Sequence, residues 1–204
     1  MAATVDALLP LSLLEAVRNV DTPQGEFEAE YVPELRNKRL GLSDTVYAQI
    51  RRFTEAVKKK QRTGHDEVAA LARLIGRRPD AEAVFRAAGR FMAREAYLTV
   101  SPVQRRTLQV LPAFVTRPMA LRTARRLARR YLDGTVTRVG GSLLLQVDRP
   151  VTTDAAPRGA GCAYYEAGLR ELLRLLVGAS GAVEHVRCET RAEGRCEWRA
   201  DLAR

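Results

Sequence analysis

Residues 185 to 198, HVRCETRAEGRCEW, hold one of the two histidines and two of the three cysteines of a 204-residue chain. The third cysteine, Cys162, opens the run CAYYEAGLRELLRLL. The four residues are therefore spaced C-x22-H-x2-C-x7-C, with every cysteine in the last 43 residues. Thiolate and imidazole are the donors zinc takes, four at a time in a tetrahedron, and structural zinc sites close all four positions. Three thiolates and one imidazole leave no position for water or substrate, which is the chemistry of a staple and not of hydrolysis. Cys188 and Cys196 flank a turn containing Gly194, so a hairpin can bring their sulfurs to one ion. Cys162, at the start of a helix, is expected to have its thiolate favoured by the helix dipole. Spacing alone leaves a second reading open: the cysteines are small core hydrophobes and His185 is a satisfied strand histidine.

The elements that must position these residues follow from periodicity and turn chemistry. Leu8 to Val20 mixes apolar and polar residues near a helical period, and TPQGEFEAEYVPELRNKRLG, with two prolines and two glycines, reads as a connector. Ser43 or Asp44 can cap DTVYAQIRRFTEAVKKKQ, in which Val46, Ile50, Phe53 and Val57 fall on one face. Helices are expected over His65–Leu74 and Asp80–Tyr97, the second with a cap-like Asp80, and then a shorter one over SPVQRRTLQVLPAF. The basic amphipathic RPMALRTARRLARRYL follows, closed by Gly134. Beyond it the pattern changes. TVTRVGGSLLLQV is two β-prone runs around Gly140 and Gly141, a hairpin signal because glycine takes positive φ cheaply. A loop, the Cys162 helix, the strand GAVEHVRCE, the turn TRAEG and the strand RCEWRADL complete a β-β-α-β-β tail. Together these elements predict an α+β fold, a helical layer on a four-stranded antiparallel sheet. The chain divides into an N-terminal helix and connector over 1–42 and a domain over 43–204 that carries the cysteine and histidine cluster.

Composition narrows the classes. Hydrophobic residues make up 46% and charged residues 28%, which excludes wholesale disorder. The opening segment has no basic start, carries Asp6 and Glu15 and is broken by Pro10, so it reads as neither an export signal nor a membrane span. With an odd number of cysteines, this points to a reducing cytoplasm. A net charge of +10 would suit nucleic acid or an anionic membrane, but only four of 34 basic residues are lysines, an arginine bias that a GC-rich genome also produces.

GCAYYEAGLRELLRLL followed by HVRCETRAEGRCEWRADL resembles the C-terminal signature of the 4-vinyl reductase domain family. That family is related to a component of the TRAPP tethering complex and to the sensory domains of aromatic-responsive activators. The similarity spans roughly residues 115 to 203 and is greatest to the stand-alone bacteriochlorophyll-biosynthesis member. It implies a structural zinc held by Cys162, Cys188 and Cys196, with His185 standing where the family usually has a glutamate; Glu184 or Glu189 would substitute if His185 points away. It also implies a non-enzymatic carrier or sensor of a small hydrophobic or aromatic ligand, such as a tetrapyrrole intermediate. The alternatives it leaves are a reductase acting on divinyl chlorophyllide and a dimeric interaction scaffold; a homodimer is the expected assembly.

Other motifs weigh less. GAGCAYY has the beginning of a dinucleotide fingerprint, but no apolar strand precedes it and Tyr164 stands at the third glycine. There is no P-loop, nucleophile elbow or HExxH. His65, beside Asp66 and Glu67 at a helix start, reads as a surface residue of the cap region. Phe85, Phe91, Tyr97, Phe114, Tyr131, Tyr164 and Tyr165 serve either as ordinary core or as the lining of a cavity between helices and sheet. Arg122, Arg125, Arg126, Arg129 and Arg130 form one side of a helix, either a solvated face or a contact for anionic lipid; nucleic acid is the less favoured partner.

Overall fold

A computed structural model describes residues 3–22, 40–111, 113–178, 181–188 and 195–201. It has the α+β architecture the sequence implies. Strand β1 (Thr4–Asp6) precedes helices α1 (Leu8–Asp21) and α2 (Asp44–Lys58). After β2 (Arg62–Gly64) come α3 (His65–Gly76), α4 (Ala81–Leu98), α5 (Pro102–Val110) and α6 (Ala113–Tyr131). The tail is β3 (Thr135–Val139), β4 (Ser142–Val147), α7 (Ala163–Val177), β5 (Val183–Arg187) and β6 (Cys196–Asp201). Its four strands form one antiparallel sheet in the order β3-β4-β6-β5. The second hairpin thus pairs with the first through β6, and α7 crosses between them. β1 and β2 form a separate antiparallel pair, three residues each and too short for an alternation signal.

Local chemistry explains most element ends. Ser43 caps α2, its hydroxyl accepting from the Val46 amide at 3.3 Å. Ser101 caps α5 in the same way, accepting from Gln104 N at 3.2 Å, with Pro102 at the first helical position. Asp80 stands at the N-cap of α4 but makes no capping bond, because its carboxylate is taken by the Arg78 guanidinium at 2.8 Å. α6 is closed by Asp133, not by Gly134: Asp133 takes the left-handed conformation (φ 46°). A side chain at Gly134 would strike Leu145 at 2.6 Å. Gly140 supplies the positive φ (59°) of the β3–β4 turn.

Layering follows from which faces are apolar. β4 alternates strictly, with Leu143, Leu145 and Val147 buried and Ser142, Leu144 and Gln146 half-exposed, so one face of the sheet is covered and the other meets water. α7 is buried nearly all round, because the sheet lies against one side and α4 against the other. The α4–α7 crossing is close enough to require glycine on both helices. A Cβ at Gly89 would sit 2.2 Å from the Tyr164 carbonyl oxygen, and one at Gly168 2.9 Å from Met92 Cε. α1 packs on α4 within the same continuous core, which reaches from Val5 to Ala200. Two ion pairs fasten this frame: Arg78 bonds Asp21 of α1 at 2.7 and 2.9 Å, and Glu171 of α7 accepts from Arg94 of α4 and from Arg174. The two guanidiniums hold Glu171 at about 2, Arg174 contributing most, against the burial that would raise it.

Candidate metal centre

Cys162, His185, Cys188 and Cys196 each offer a ligand atom, and these atoms all lie within 4.8 Å of one another. They arrive from separate elements. Cys162 immediately precedes α7, His185 is central in β5, Cys188 follows β5 by one residue, and Cys196 opens β6. All three cysteines are buried and reduced. The loop before α7 supplies a neighbour with no signal in the sequence. Thr153 is fully buried and its Oγ1 stands 3.8 Å from Cys196 Sγ and 3.9 Å from Cys162 Sγ. That loop is drawn tight at Gly161, where any Cβ would fall 1.6 Å from the Thr152 carbonyl oxygen. It is also tied by Thr152 Oγ1 donating to Gly161 O at 2.6 Å and by Val151 N donating to the Tyr165 hydroxyl at 3.0 Å. The glycines of GAGCAYY therefore serve a close turn.

His185 and Cys188 are three apart, and in a regular strand they would face opposite sides of the sheet. A register shift resolves this. His185 pairs with Trp198 and Arg187 with Glu197, so Val186 and Arg187 together oppose a single residue. The extra residue of such a bulge changes the phase of the strand by one, which brings Cys188 to the side of His185. β6 keeps an unbroken register with β4, so Cys196 and Trp198, two apart, share a face. Trp198 lies directly across from His185, with the rings stacked at 4.8 Å and 11°. Tyr165 of α7 stacks on the same indole at 5.0 Å, and Tyr164 meets Tyr165 edge-on at 5.3 Å. The imidazole is thus held by an aromatic column that runs from the sheet into α7.

The donor set fits a tetrahedral soft-metal ion. Zinc at about 2.3 Å from each sulfur gives a sulfur–sulfur edge of about 3.8 Å, and Cys162 Sγ and Cys188 Sγ are 3.9 Å apart. His185 Nε2 is buried without a hydrogen-bond partner among the described residues, a state that costs about 1–3 kcal/mol unless something accepts it. Glu184 is exposed and pairs across β6 with Arg199, outside the cluster, and Glu189 lies beyond the described residues, as does the Gly194 turn. Cys162 is the last residue before α7. Its thiol is pushed up, by the hydrogen bond with Cys196 first, then by burial and by Cys188. The residues just before it already form a 3-10 turn that continues into α7, so Cys162 does not face an open helix start. Without a cation the neighbouring sulfurs oppose ionisation of Cys162; a divalent ion would reverse that balance.

The other candidates sort plainly. Phe85, Tyr131, Tyr164 and Tyr165 are core, and the Phe114 side chain lies outside the described residues. His65 begins α3 half-buried, with Nδ1 3.6 Å from the exposed Asp66 carboxylate and Nε2 turned inward, apart from the metal-type cluster. No helix among the described residues is long and apolar enough to cross a membrane. No protein-family model matches the chain, and no curated protein matches it.

Proposed function

We propose that this chain is a zinc-stapled binding domain of the 4-vinyl reductase kind, which carries or senses a hydrophobic or aromatic ligand without transforming it. The observation that carries the reading is the convergence of four zinc-type donors from α7, β5 and β6 onto one buried point. Zinc held there would have all its positions filled by protein and would act as a crosslink, with none open for catalysis. The chain's own residues do the rest. The bulge at Val186 turns Cys188 inward, Trp198 fixes the plane of the imidazole, and Thr153 closes the side facing the loop.

Support for the ligand half comes from the family resemblance of the tail, since the aromatic column between α7 and the sheet is packed as core. Trp198 Nε1 is buried with no hydrogen-bond partner among the described residues. The ligand that the resemblance points to is a tetrapyrrole intermediate. Because Trp198 is the only tryptophan, its fluorescence reports on that column alone.

Native mass spectrometry of the purified chain tests the staple, and titration with chlorophyllide tests the ligand. One zinc per chain, together with quenching of Trp198 and a shifted pigment spectrum, is the expected result. A chain that emerges without metal and takes up none from zinc buffer overturns the staple. A chain that leaves the pigment spectrum and the Trp198 emission unchanged overturns the tetrapyrrole.

A further inference from the structure

The arginine row of α6 is a feature that the metal centre does not use. Seen down the helix, the buried positions Thr116, Ala120, Thr123, Ala124, Leu127 and Ala128 form one arc. Arg122, Arg125, Arg126, Arg129 and Arg130 fill the opposite arc, all exposed. Spacings of three and four along this face place like charges beside one another, which is unfavourable for an isolated helix. Among the described residues no carboxylate pairs with Arg122, Arg125, Arg126 or Arg129; only Arg130 reaches one, Asp6 at 3.4 Å. The helix is kept by its buried side, and its charged side is left facing outward unneutralised.

A second observation concerns what adjoins this row. Val115 falls on the same exposed arc about two turns before Arg122, the first arginine of the row. Val110 and Leu111, at the end of α5 and in the connection to α6, are 71% and 44% exposed. Across a groove of about 300 Å³ lined by Pro118, Leu121, Arg122, Arg125 and Arg138, strand β3 ends in Val139, which is 58% exposed. Four large aliphatic side chains thus stand in water at the end of a cationic face, where a solvated helix would carry polar residues. This pairing distinguishes the possible occupants. A nucleic acid would match the guanidiniums but offers these exposed aliphatic side chains neither an aromatic partner nor an apolar phase. A bilayer interface offers both halves of the complement, anionic headgroups for the guanidiniums and acyl chain for the valines and leucine.

We infer that the α6 face from Val115 onward, with Val110 and Leu111 at the end of α5 and the β3–β4 tip, is a docking surface for an anionic lipid bilayer. The helix lies in the interface plane, its arginines at headgroup depth and Val110, Leu111, Val115 and Val139 inserted just below. The surface is separate from the metal corner and stands whether or not the chain binds a pigment.

Vesicle flotation of the full chain tests it. In low salt the chain floats with phosphatidylcholine vesicles containing about 30% phosphatidylglycerol and stays behind with pure phosphatidylcholine. The double substitution Arg125→Glu and Arg129→Glu, at exposed sites that leave the core intact, lowers partitioning at least about tenfold. Val110→Ser with Val115→Ser lowers it about as much, and the binding that remains becomes fully reversible by salt, because the salt-resistant part is the inserted aliphatic surface. Circular dichroism confirms that both variants keep the parent's helix content. Three results overturn the inference: equal flotation with neutral and anionic vesicles, no change on charge reversal, or tighter binding of a single-stranded or duplex oligonucleotide than of anionic vesicles at the same ionic strength.

Discussion

The two hairpins of the sheet are built on opposite principles. β3–β4 is joined by a two-residue Gly140–Gly141 turn and keeps a regular register from Thr135↔Gln146 to Val139↔Ser142. Everything that specifies it lies within thirteen consecutive residues. β5–β6 has a bulge, a shifted register and a longer connection, and its inner face carries three of the four metal-type donors. A hairpin closed by its turn is specified locally, whereas one closed by side chains that meet a distant helix depends on the whole tail having assembled. Both hairpins supply an edge strand, β3 and β5, so edge position does not separate them. What β3–β4 obtains from turn geometry, β5–β6 obtains from the link to Cys162.

The largest break in this comparison comes from removing one donor. Cys196→Ser is expected to abolish metal binding and cost about 3–5 kcal/mol, since it leaves two thiols and an imidazole crowded without an ion. Zinc content and denaturant midpoint measure it, and hydrogen exchange locates it. Amides of β5 and β6 lose protection while those of β3 retain theirs. Equal loss across both hairpins would show that the sheet opens as one unit and that the distinction fails. Chelation of the parent chain by a strong zinc ligand is expected to give the same pattern.

Next comes Trp198→Leu. It deletes the ring that stacks on His185 and on Tyr165 and leaves a void in a position with no exposure. A loss of about 2–4 kcal/mol follows from the cavity. A second effect distinguishes its role from simple filling: with the imidazole free to turn, zinc affinity falls about 10–100-fold, as for other groups that orient a metal ligand. If the variant is destabilised yet holds zinc as tightly as the parent, the ring fills space only.

What the sequence made legible follows the same divide. Val46, Ile50 and Phe53 announce their helix because helical period is a local property, and Gly140–Gly141 announces its turn for the same reason. The four donors stand out by residue type, since a chain with three cysteines and two histidines placed four of the five together. Register is not local, so the bulge that aligns His185 with Cys188 had no signal, and neither did Thr153, brought to the sulfurs by a loop folded against β6. The two helix ends that differ from expectation have separate causes. Asp80 has a capping residue's shape, but the stronger pull of Arg78 two residues away takes its carboxylate. Gly134 was the obvious residue to close α6, yet it is needed where Leu145 and Val147 leave no room for a side chain, and Asp133 takes the left-handed turn instead.

A smaller effect should appear in the first hairpin. At Gly140 a Cβ would touch nothing within 4 Å, so Gly140→Ala isolates the cost of a positive φ from any clash. About 1 kcal/mol is expected, read as a shift in denaturant midpoint with zinc content unchanged. That result sets the scale of a local closure against the several kcal/mol of the metal-linked one. A loss of zinc in this variant would mean that the two hairpins communicate through β4 and β6.

The smallest effect lies outside both hairpins and tests whether the frame behind them is indifferent to acid. Glu171 of α7 is held at about 2, with Arg174 and Arg94 as the lowering partners, while an unfolded glutamate titrates near 4.5. Its folded form binds a proton less readily than its unfolded form. Its contribution is therefore complete above about pH 4.5, shrinks as the pH falls, and is gone near 2. Both guanidiniums reach water, with side chains 63% and 55% exposed, so screening keeps the benefit small. Glu171→Gln should lower Tm by no more than about 2 °C at neutral pH, and the gap between variant and parent should close between pH 4.5 and 2. The thiolates of a metal centre take up protons at higher pH, which releases the ion first. An acid titration should accordingly show β5–β6 losing protection while the α4–α7 contact persists; simultaneous loss would place the helix pair under the control of the metal corner.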